Sequence, residues 1–103
     1  MALTNTTLIA NSNTNVFLSS GTNAITTIIF CNTDTINEGT ISVYAVGYPN
    51  IVTTSTAILS NLPLPPTETF TLDTEKLILN NLDAIWVNSN VGTIGVTVSS
   101  VGL

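Results

Sequence analysis

The chain has no histidine and no arginine, and it contains one lysine and one cysteine. Enzymes that depend on a histidine base, or on a Ser-His or Cys-His pair, therefore have no counterpart here. Cys31 has no second cysteine to pair with, and its place in the apolar run AITTIIFC predicts a buried thiol rather than a nucleophile. We expect no enzymatic activity and no cofactor.

Charge is equally scarce. Only 7% of the residues are charged, against about 25% in an ordinary soluble domain, and the formal net charge is −5. Without a basic patch the chain cannot neutralise a phosphate backbone or an anionic lipid surface, so we expect no nucleic-acid partner and no membrane partner. No apolar run is long enough to span a bilayer, and the start, MALTNTTLIA, lacks the features of a signal peptide.

Hydrophobic and uncharged polar residues make up the rest. Hydrophobic residues are 44% of the 103 residues and the mean hydropathy is +0.48, which excludes intrinsic disorder and suits a single domain. Thr, Asn and Ser together supply about two fifths of the chain and must cover its surface. A surface with so little charge repulsion suits a protein that works in an assembled form.

Short apolar segments recur at intervals of about 8–12 residues, with turn residues between them. No segment keeps a helical apolar period, so we expect at most one helical turn, near 73–76. The predicted fold class is all-β, a two-sheet antiparallel β-sandwich of about eight strands, jelly-roll or immunoglobulin-like, with the strand order left open. The predicted strands cover 7–10, 15–20, 23–32, 40–48, 54–61, 68–72, 76–80, 83–89 and 93–101.

The domain organisation follows from the strength of these segments. Residues 1–21 are predicted as an amino-terminal arm or edge strand without a core of its own, and residues 22–103 as the sandwich domain. The segment 23–32 is apolar on both faces, so we expect it to be central and covered on both sides. The segment 32–39 is expected to close a hairpin, with a positive φ at its glycine, and the prolines of 62–67 to cross between sheets.

Charged side chains gather in the stretch TLDTEKLILNNLDAIW. Asp73 and Glu75 would be the acid–base pair of an enzymatic interpretation, assisted by Lys76 or Asp83. They fall between strand patterns, however, and no histidine or second basic group is available to shift the pKa of a carboxylate. The pattern favours solvated structural turns, with Asp83 accepting hydrogen bonds from backbone amides.

Two further kinds of binding site have candidates in the sequence. The segments DTINE (34–38) and DTE (73–75) offer oxygen ligands for a weak surface calcium site, but neither has the acid spacing of a known calcium loop, and no metal site is predicted. Trp86 and Tyr44 could stack against a sugar. A single aromatic residue on a strand more often belongs to the core, and we predict a core position for Trp86.

Four segments of the chain resemble the small β-sandwich structural proteins of tailed bacteriophages, particularly those of cyanobacterial and other aquatic hosts. The segments are TNAITTIIFCNTDT, ISVYAVGYPN, ILSNLPLPPTETFTLDTEKLILNNLDAIWV and GVTVSSVGL. In those proteins a strand ending in CNT or TNT leads to a VxVYxV strand, an nLPLxxxETxxL crossover and an EKLxLxxxDxIxV segment. The resemblance covers residues 22–103 or nearly so, and one departure is the turn NNLD (80–83) in place of the commoner xGD.

The resemblance implies a non-enzymatic virion protein, made in the host cytoplasm and located on the capsid or tail surface. The main expectation is a capsid decoration or cement protein, bound to the major capsid protein or another virion protein as a homo-oligomer, most simply a homotrimer. A small neck, tail or fibre component is also compatible. The family carries no catalytic residues. The segment 1–18 is expected to add a strand to a neighbour's open sheet edge.

A carbohydrate- or receptor-binding module is the alternative function. Such a module should place exposed aromatic residues beside amide or acidic side chains in one loop. The segment YAVGYPN is the best candidate, so Tyr44, Tyr48 and Asn50 are the candidate contacts for a partner or glycan.

Overall fold

The computed structural model describes residues 2–73 and 77–103. Within these ranges no helix is long and apolar enough to cross a membrane. A 3-10 turn, Thr54–Thr56, precedes the fifth strand, while the helical turn predicted near 73–76 falls largely outside the described residues. The strands are β1 (Ala2–Thr7), β2 (Ser12–Leu18), β3 (Asn23–Asn32), β4 (Gly39–Val46), β5 (Ala57–Leu64), β6 (Thr69–Leu72), β7 (Leu77–Leu79), β8 (Ala84–Ser89) and β9 (Ile94–Gly102).

The strands form two antiparallel sheets. Sheet A has the order β1-β9-β3-β6, with β7 also paired to β3, and sheet B has the order β2-β8-β4-β5. Because β6 and β7 pair with different halves of β3, they share one strand position. With β6 and β7 counted as one strand, the first strand of the chain pairs with the last, and the second pairs with the last but one. This is the pairing of a jelly roll. The predicted two-sheet antiparallel sandwich is confirmed, and its strand order fits the jelly-roll alternative.

The core lies between the two sheets. In β9 every second residue from Ile94 to Ser100 is buried and the residues between them are partly exposed, as expected of a strand with one inner face. Phe30 is fully buried at the centre, and its ring centroid lies 6.2 Å from that of Phe70. The buried core side chains are Leu8, Val16, Ile25, Ile28, Phe30, Ile41, Val43, Leu64, Leu79, Ile85, Val87, Ile94, Val96 and Val98.

The amino-terminal segment is built into this sandwich. β1 and β2 are the outer strands of sheets A and B, paired with β9 and β8. Leu8 and Val16 are each only 2% exposed and belong to the core, so β1 and β2 are edge strands attached to the core of this chain. The predicted strand at 7–10 is mostly the connection between β1 and β2.

The segment between β3 and β4 crosses from sheet A to sheet B, so the predicted hairpin is wrong. Its anchor is Asn32, which is fully buried. The Asn32 amide donates to the carbonyls of Asn37 and Leu64, both at 3.1 Å, and its side-chain oxygen accepts from the Asp34 N–H and the Thr93 hydroxyl at 3.1 and 2.9 Å. A buried amide whose donors and acceptor are all satisfied fixes the path of the crossover.

Gly39, the first residue of β4, does not have the positive φ that was predicted for it. A Cβ at this position would lie 2.6 Å from Val91 Cγ2 and 3.0 Å from Ile94 Cδ1. The glycine is therefore needed because the backbone passes directly against two core side chains.

β3 is central, as predicted, but the described part of the chain covers only its inner face. Ile29 is 37% exposed and Cys31 is partly exposed, so the predicted burial of the Cys31 thiol is wrong. An irregularity in the pairing with β9 between Ile25 and Thr27 shifts the alternation, and Ile25 and Ile28 both face the core.

The crossover from sheet B to sheet A starts later in the chain than predicted. β5 runs through Pro63, which is tolerated because β5 is an edge strand of sheet B. The crossover to sheet A then uses the short turn from Pro65 to Glu68, whose N–H donates to the Pro65 carbonyl at 3.3 Å. The predicted crossover between sheets is confirmed.

Candidate functional site

In the part of the chain that the structure describes, charged side chains lie in the connections between strands. All five acidic residues that the structure describes lie in loops, so no described strand carries a charged side chain. The two outward-facing sheet surfaces consequently consist of apolar and uncharged polar side chains. Any binding site on these surfaces must use stacking, apolar contact and neutral hydrogen bonds. The five acids are Asp34, Glu38, Glu68, Asp73 and Asp83.

Sheet B has a groove around Trp86, which we call the Trp86 groove. Trp86 is partly buried and points outward, because its neighbours Ile85 and Val87 face the core, so the predicted core position is wrong. A recess of about 540 Å³ lies on one side of Trp86 and a second of about 370 Å³ on the other, and both are lined by Trp86 and Asn50. The larger is lined by Asn15, Leu18, Val46, Tyr48, Pro49, Asn50, Leu82, Ala84 and Trp86, and the smaller by Asn13, Asn50, Ile51, Val52 and Trp86.

The structure brings two of the three predicted contact residues into this groove. Tyr48 and Asn50 lie in the β4–β5 loop and line it, with Tyr48 58% exposed. Tyr44 is opposite Trp86 in the pairing of β4 with β8, and it does not line either recess.

The β4–β5 loop is held in place by Asp83. One carboxylate oxygen of Asp83 accepts from the Tyr48 N–H at 2.9 Å, and the other accepts from the Asn80 N–H at 2.9 Å. The Asn50 N–H donates to the Gly47 carbonyl at 2.8 Å and tightens the loop further. The predicted role of Asp83 as a turn acid that accepts backbone amides is confirmed, and this role fixes one wall of the groove.

Leu82 forms the rim of the groove in an unusual backbone conformation. Its φ is +71°, in the left-handed region, and its side chain is 45% exposed. The turn is closed by the Asp83 N–H, which donates to the Asn80 carbonyl at 3.1 Å, and its third position favours glycine. A leucine here costs backbone strain and adds an exposed apolar side chain to the groove.

Several polar groups along the groove have no hydrogen-bond partner among the residues that the structure describes. They are the Trp86 indole N–H, the Tyr48 hydroxyl and the Asn50 carboxamide. The Asn15 amide donates weakly to the Phe17 carbonyl at 3.4 Å, which leaves its oxygen without a described donor. These groups are available to solvent or to a ligand.

The outer surface of sheet A is a different kind of surface, which we call the threonine face. Strand pairing aligns its outward residues in rows across β1, β9, β3 and β6. A shallow recess of about 250 Å³ lies on it, beside Cys31 and Gly95. Its two central rows are Asn5, Thr97, Ile29 and Thr71, and Thr7, Gly95, Cys31 and Thr69.

The acidic segments do not assemble a metal centre in the described part of the chain, where no group of three His, Cys, Asp or Glu side chains comes together. The carboxylate of Asp34 accepts from the N–H groups of Ile36 at 2.8 Å and Asn37 at 3.2 Å, and from the Asn37 amide at 3.2 Å. These hydrogen bonds, led by that from Ile36, hold the pKa of Asp34 below its ordinary 3.8.

The predicted turn at Asp73, Glu75 and Lys76 is described only in part. Asp73 is exposed directly after β6, which fits a turn position. Glu75 and Lys76 lie outside the described residues.

Comparison with protein-family models, with characterised proteins and with solved structures gives no significant match to this chain. The site must therefore be interpreted from its own geometry. Sequence reasoning considered Trp86 as a sugar-stacking residue but predicted a core position for it, although an opposite signal was present: Trp86 shares its side of β8 with Asn88, while the other side carries Ile85 and Val87. Nothing in the sequence pattern pointed to Leu18 or Leu82.

Proposed function

We propose that the protein is a non-enzymatic structural component of a phage virion, most simply a capsid decoration or cement protein that binds the capsid surface as a homo-oligomer. The observation that supports it is the confinement of every described charged side chain to loops, which leaves two uncharged sheet surfaces. The resemblance of residues 22–103 to phage β-sandwich proteins supplies the virion context.

The threonine face is the surface proposed to contact the particle. Removing a charged group from water on docking is costly unless a partner charge meets it, and no strand on this face carries one. Its Thr and Ser hydroxyls both donate and accept, so they can pair with the backbone or side chains of a partner. Ile29 adds an exposed apolar side chain near the centre.

A charge placed on this face tests the proposal. We expect Thr97→Lys to abolish co-sedimentation with phage capsids that lack the protein, because the lysine would lose its hydration at the contact. Ser60→Lys, an exposed position on edge strand β5 of sheet B, is the matched control and should bind as the unmodified protein does. Equal binding by both variants would place the contact elsewhere.

The single thiol offers a second test. Cys31 lies in a central row of the threonine face and is partly exposed, so a small maleimide should modify it in the free protein. On particles this modification should slow markedly, while Cys31→Ser reports the background. Light scattering should show the oligomer, most simply a trimer. A strictly monomeric protein without affinity for capsid or tail would reject the structural role.

A neck, tail or fibre location is the second candidate within the same class. It would be favoured if the protein binds tails and not heads in the sedimentation experiment.

A further inference from the structure

We propose that the Trp86 groove is a binding site for an uncharged oligosaccharide. This inference goes beyond the structural role and does not depend on it, because it concerns the outer surface of sheet B and not the threonine face.

The lining of the groove limits the charge of its ligand. None of the described residues that line the two recesses is charged, and the described acid beside the groove, Asp83, already accepts two backbone N–H groups. An anionic ligand would meet no cation, and a cationic ligand would meet no free carboxylate. A neutral ligand is therefore the one that fits.

Trp86 supplies a stacking surface between the two recesses. It is seated in β8 between β2 and β4, opposite Asn15 and Tyr44, so its position is fixed by strands on both sides. The apolar C–H face of a pyranose ring packs against the π face of an aromatic ring, and tryptophan has the largest such face. A rigid platform of this kind binds with little loss of side-chain freedom.

The free polar groups match the other chemistry of a sugar. A hydroxyl both donates and accepts, and so does the carboxamide of Asn50, while the Trp86 N–H donates and the Asn15 oxygen accepts. An apolar protein segment lying in the groove would bury these groups without partners, which is unfavourable. A neutral glycan would satisfy them.

The size of the groove indicates more than one sugar unit. The larger recess, about 540 Å³, lies within the range of small-molecule sites, about 300–1,000 Å³. Because the second recess, about 370 Å³, shares Trp86 and Asn50 with it, a linear ligand can cross Trp86 and occupy both. Affinity should therefore rise from a disaccharide to a longer chain.

Trp86 is also a direct reporter, because it is the only tryptophan of the chain. The full-length protein would be titrated with neutral hexasaccharides, such as cellohexaose, mannohexaose and maltohexaose, with a sialylated and a sulfated glycan as charged comparators. We expect at least one neutral hexasaccharide to shift the fluorescence of Trp86 saturably, and its disaccharide to bind at least about tenfold more weakly.

Matched variants separate the groove from the rest of the surface. Asn50→Ala, in an exposed loop, should weaken binding of that hexasaccharide by about tenfold or more, while Asn5→Ala, an exposed amide on sheet A, should leave it unchanged. Trp86→Ala should abolish binding measured by calorimetry. The proposal is overturned if no neutral hexasaccharide binds at millimolar concentration, if binding ignores both groove variants, or if a second copy of the chain occupies the groove.

Discussion

Among the described residues, two that are neither glycine nor asparagine have a backbone conformation that an L side chain disfavours. Leu82 has φ +71° and Thr67 has φ +63°, and each stands at the third position of a turn closed by a backbone hydrogen bond. The left-handed conformation costs an L-residue other than glycine or asparagine about 1–2 kcal/mol. Such strain is retained where a side chain is needed, and only Leu82 lines the groove.

Replacing Leu82 should separate stability from binding. We expect Leu82→Asn to raise the free energy of unfolding by about 0.5–1 kcal/mol, because asparagine tolerates the left-handed region. Thr67→Asn is the matched control, with the same strain relieved far from the groove. Urea unfolding should show both variants stabilised, and groove binding should weaken only for Leu82→Asn. Destabilisation by both changes would contradict the strain argument.

Protonation of Asp34 should lower the free energy of unfolding in acid. Its pKa is lowered in the folded chain by N–H donors that are lost on unfolding, so the unfolded chain binds a proton more readily. Its contribution is therefore complete above about pH 4 and is lost as the pH falls through the lower, folded pKa. In urea unfolding, the advantage of the unmodified protein over Asp34→Asn should be constant near neutral pH and shrink below pH 4. A gap that widens in acid would refute this sign.

At the scale of the strands, the sequence predicted where most elements lie but not how they pair. β3 matches the predicted 23–32 at both ends. The predicted 83–89 differs from β8 by one residue at its start, and the predicted 93–101 differs from β9 by one residue at each end. Alternation is a local property, so it was sufficient for this. Pairing depends on residues far apart, such as Asn32 with Leu64 and Thr93, and the sheet-crossing path after β3 was therefore mistaken for a hairpin.

The sequence predicted only those residues of the candidate site that stand together in one loop. Tyr48 and Asn50 were found because aromatic and amide residues stood together in one segment. Trp86 was assigned to the wrong face because residue type was weighed above the alternation of its strand. Leu18 comes from a different strand, and only the folded chain places it beside the loop.

Two glycines test how closely the strands pack. We expect Gly39→Ala to destabilise the fold by about 1–3 kcal/mol, because the new methyl group would overlap Val91 and Ile94. Gly95→Ala is the control: no atom lies within 4 Å of its added Cβ, and it should be neutral or stabilising in thermal melting. Equal melting temperatures for the two variants would mean that the packing around Gly39 can yield.

At the scale of the whole molecule, the amino-terminal strands are part of the sandwich. Deleting residues 1–18 removes one edge strand from each sheet and the buried side chains of Leu8 and Val16. Burial of each such side chain contributes about 1.5–3 kcal/mol, so we expect the shortened chain to be largely unfolded by circular dichroism. If the shortened chain still folds and loses only its capsid binding, the result would instead support the hypothesis that the segment 1–18 adds a strand to the sheet edge of a neighbouring molecule.

The jelly-roll pairing of first strand with last also governs how the chain reaches its fold. β1 and β2 can form their sheet hydrogen bonds only with β9 and β8, so during synthesis at about 5–20 residues per second both wait until almost the whole chain has emerged. Such distant pairing makes for folding in milliseconds to seconds rather than microseconds. Until they are paired, β1 and β2 have no charged side chains that would repel the unpaired strands of other molecules. Refolding yield should therefore fall steeply as protein concentration rises, and a chaperone that isolates single chains should restore it.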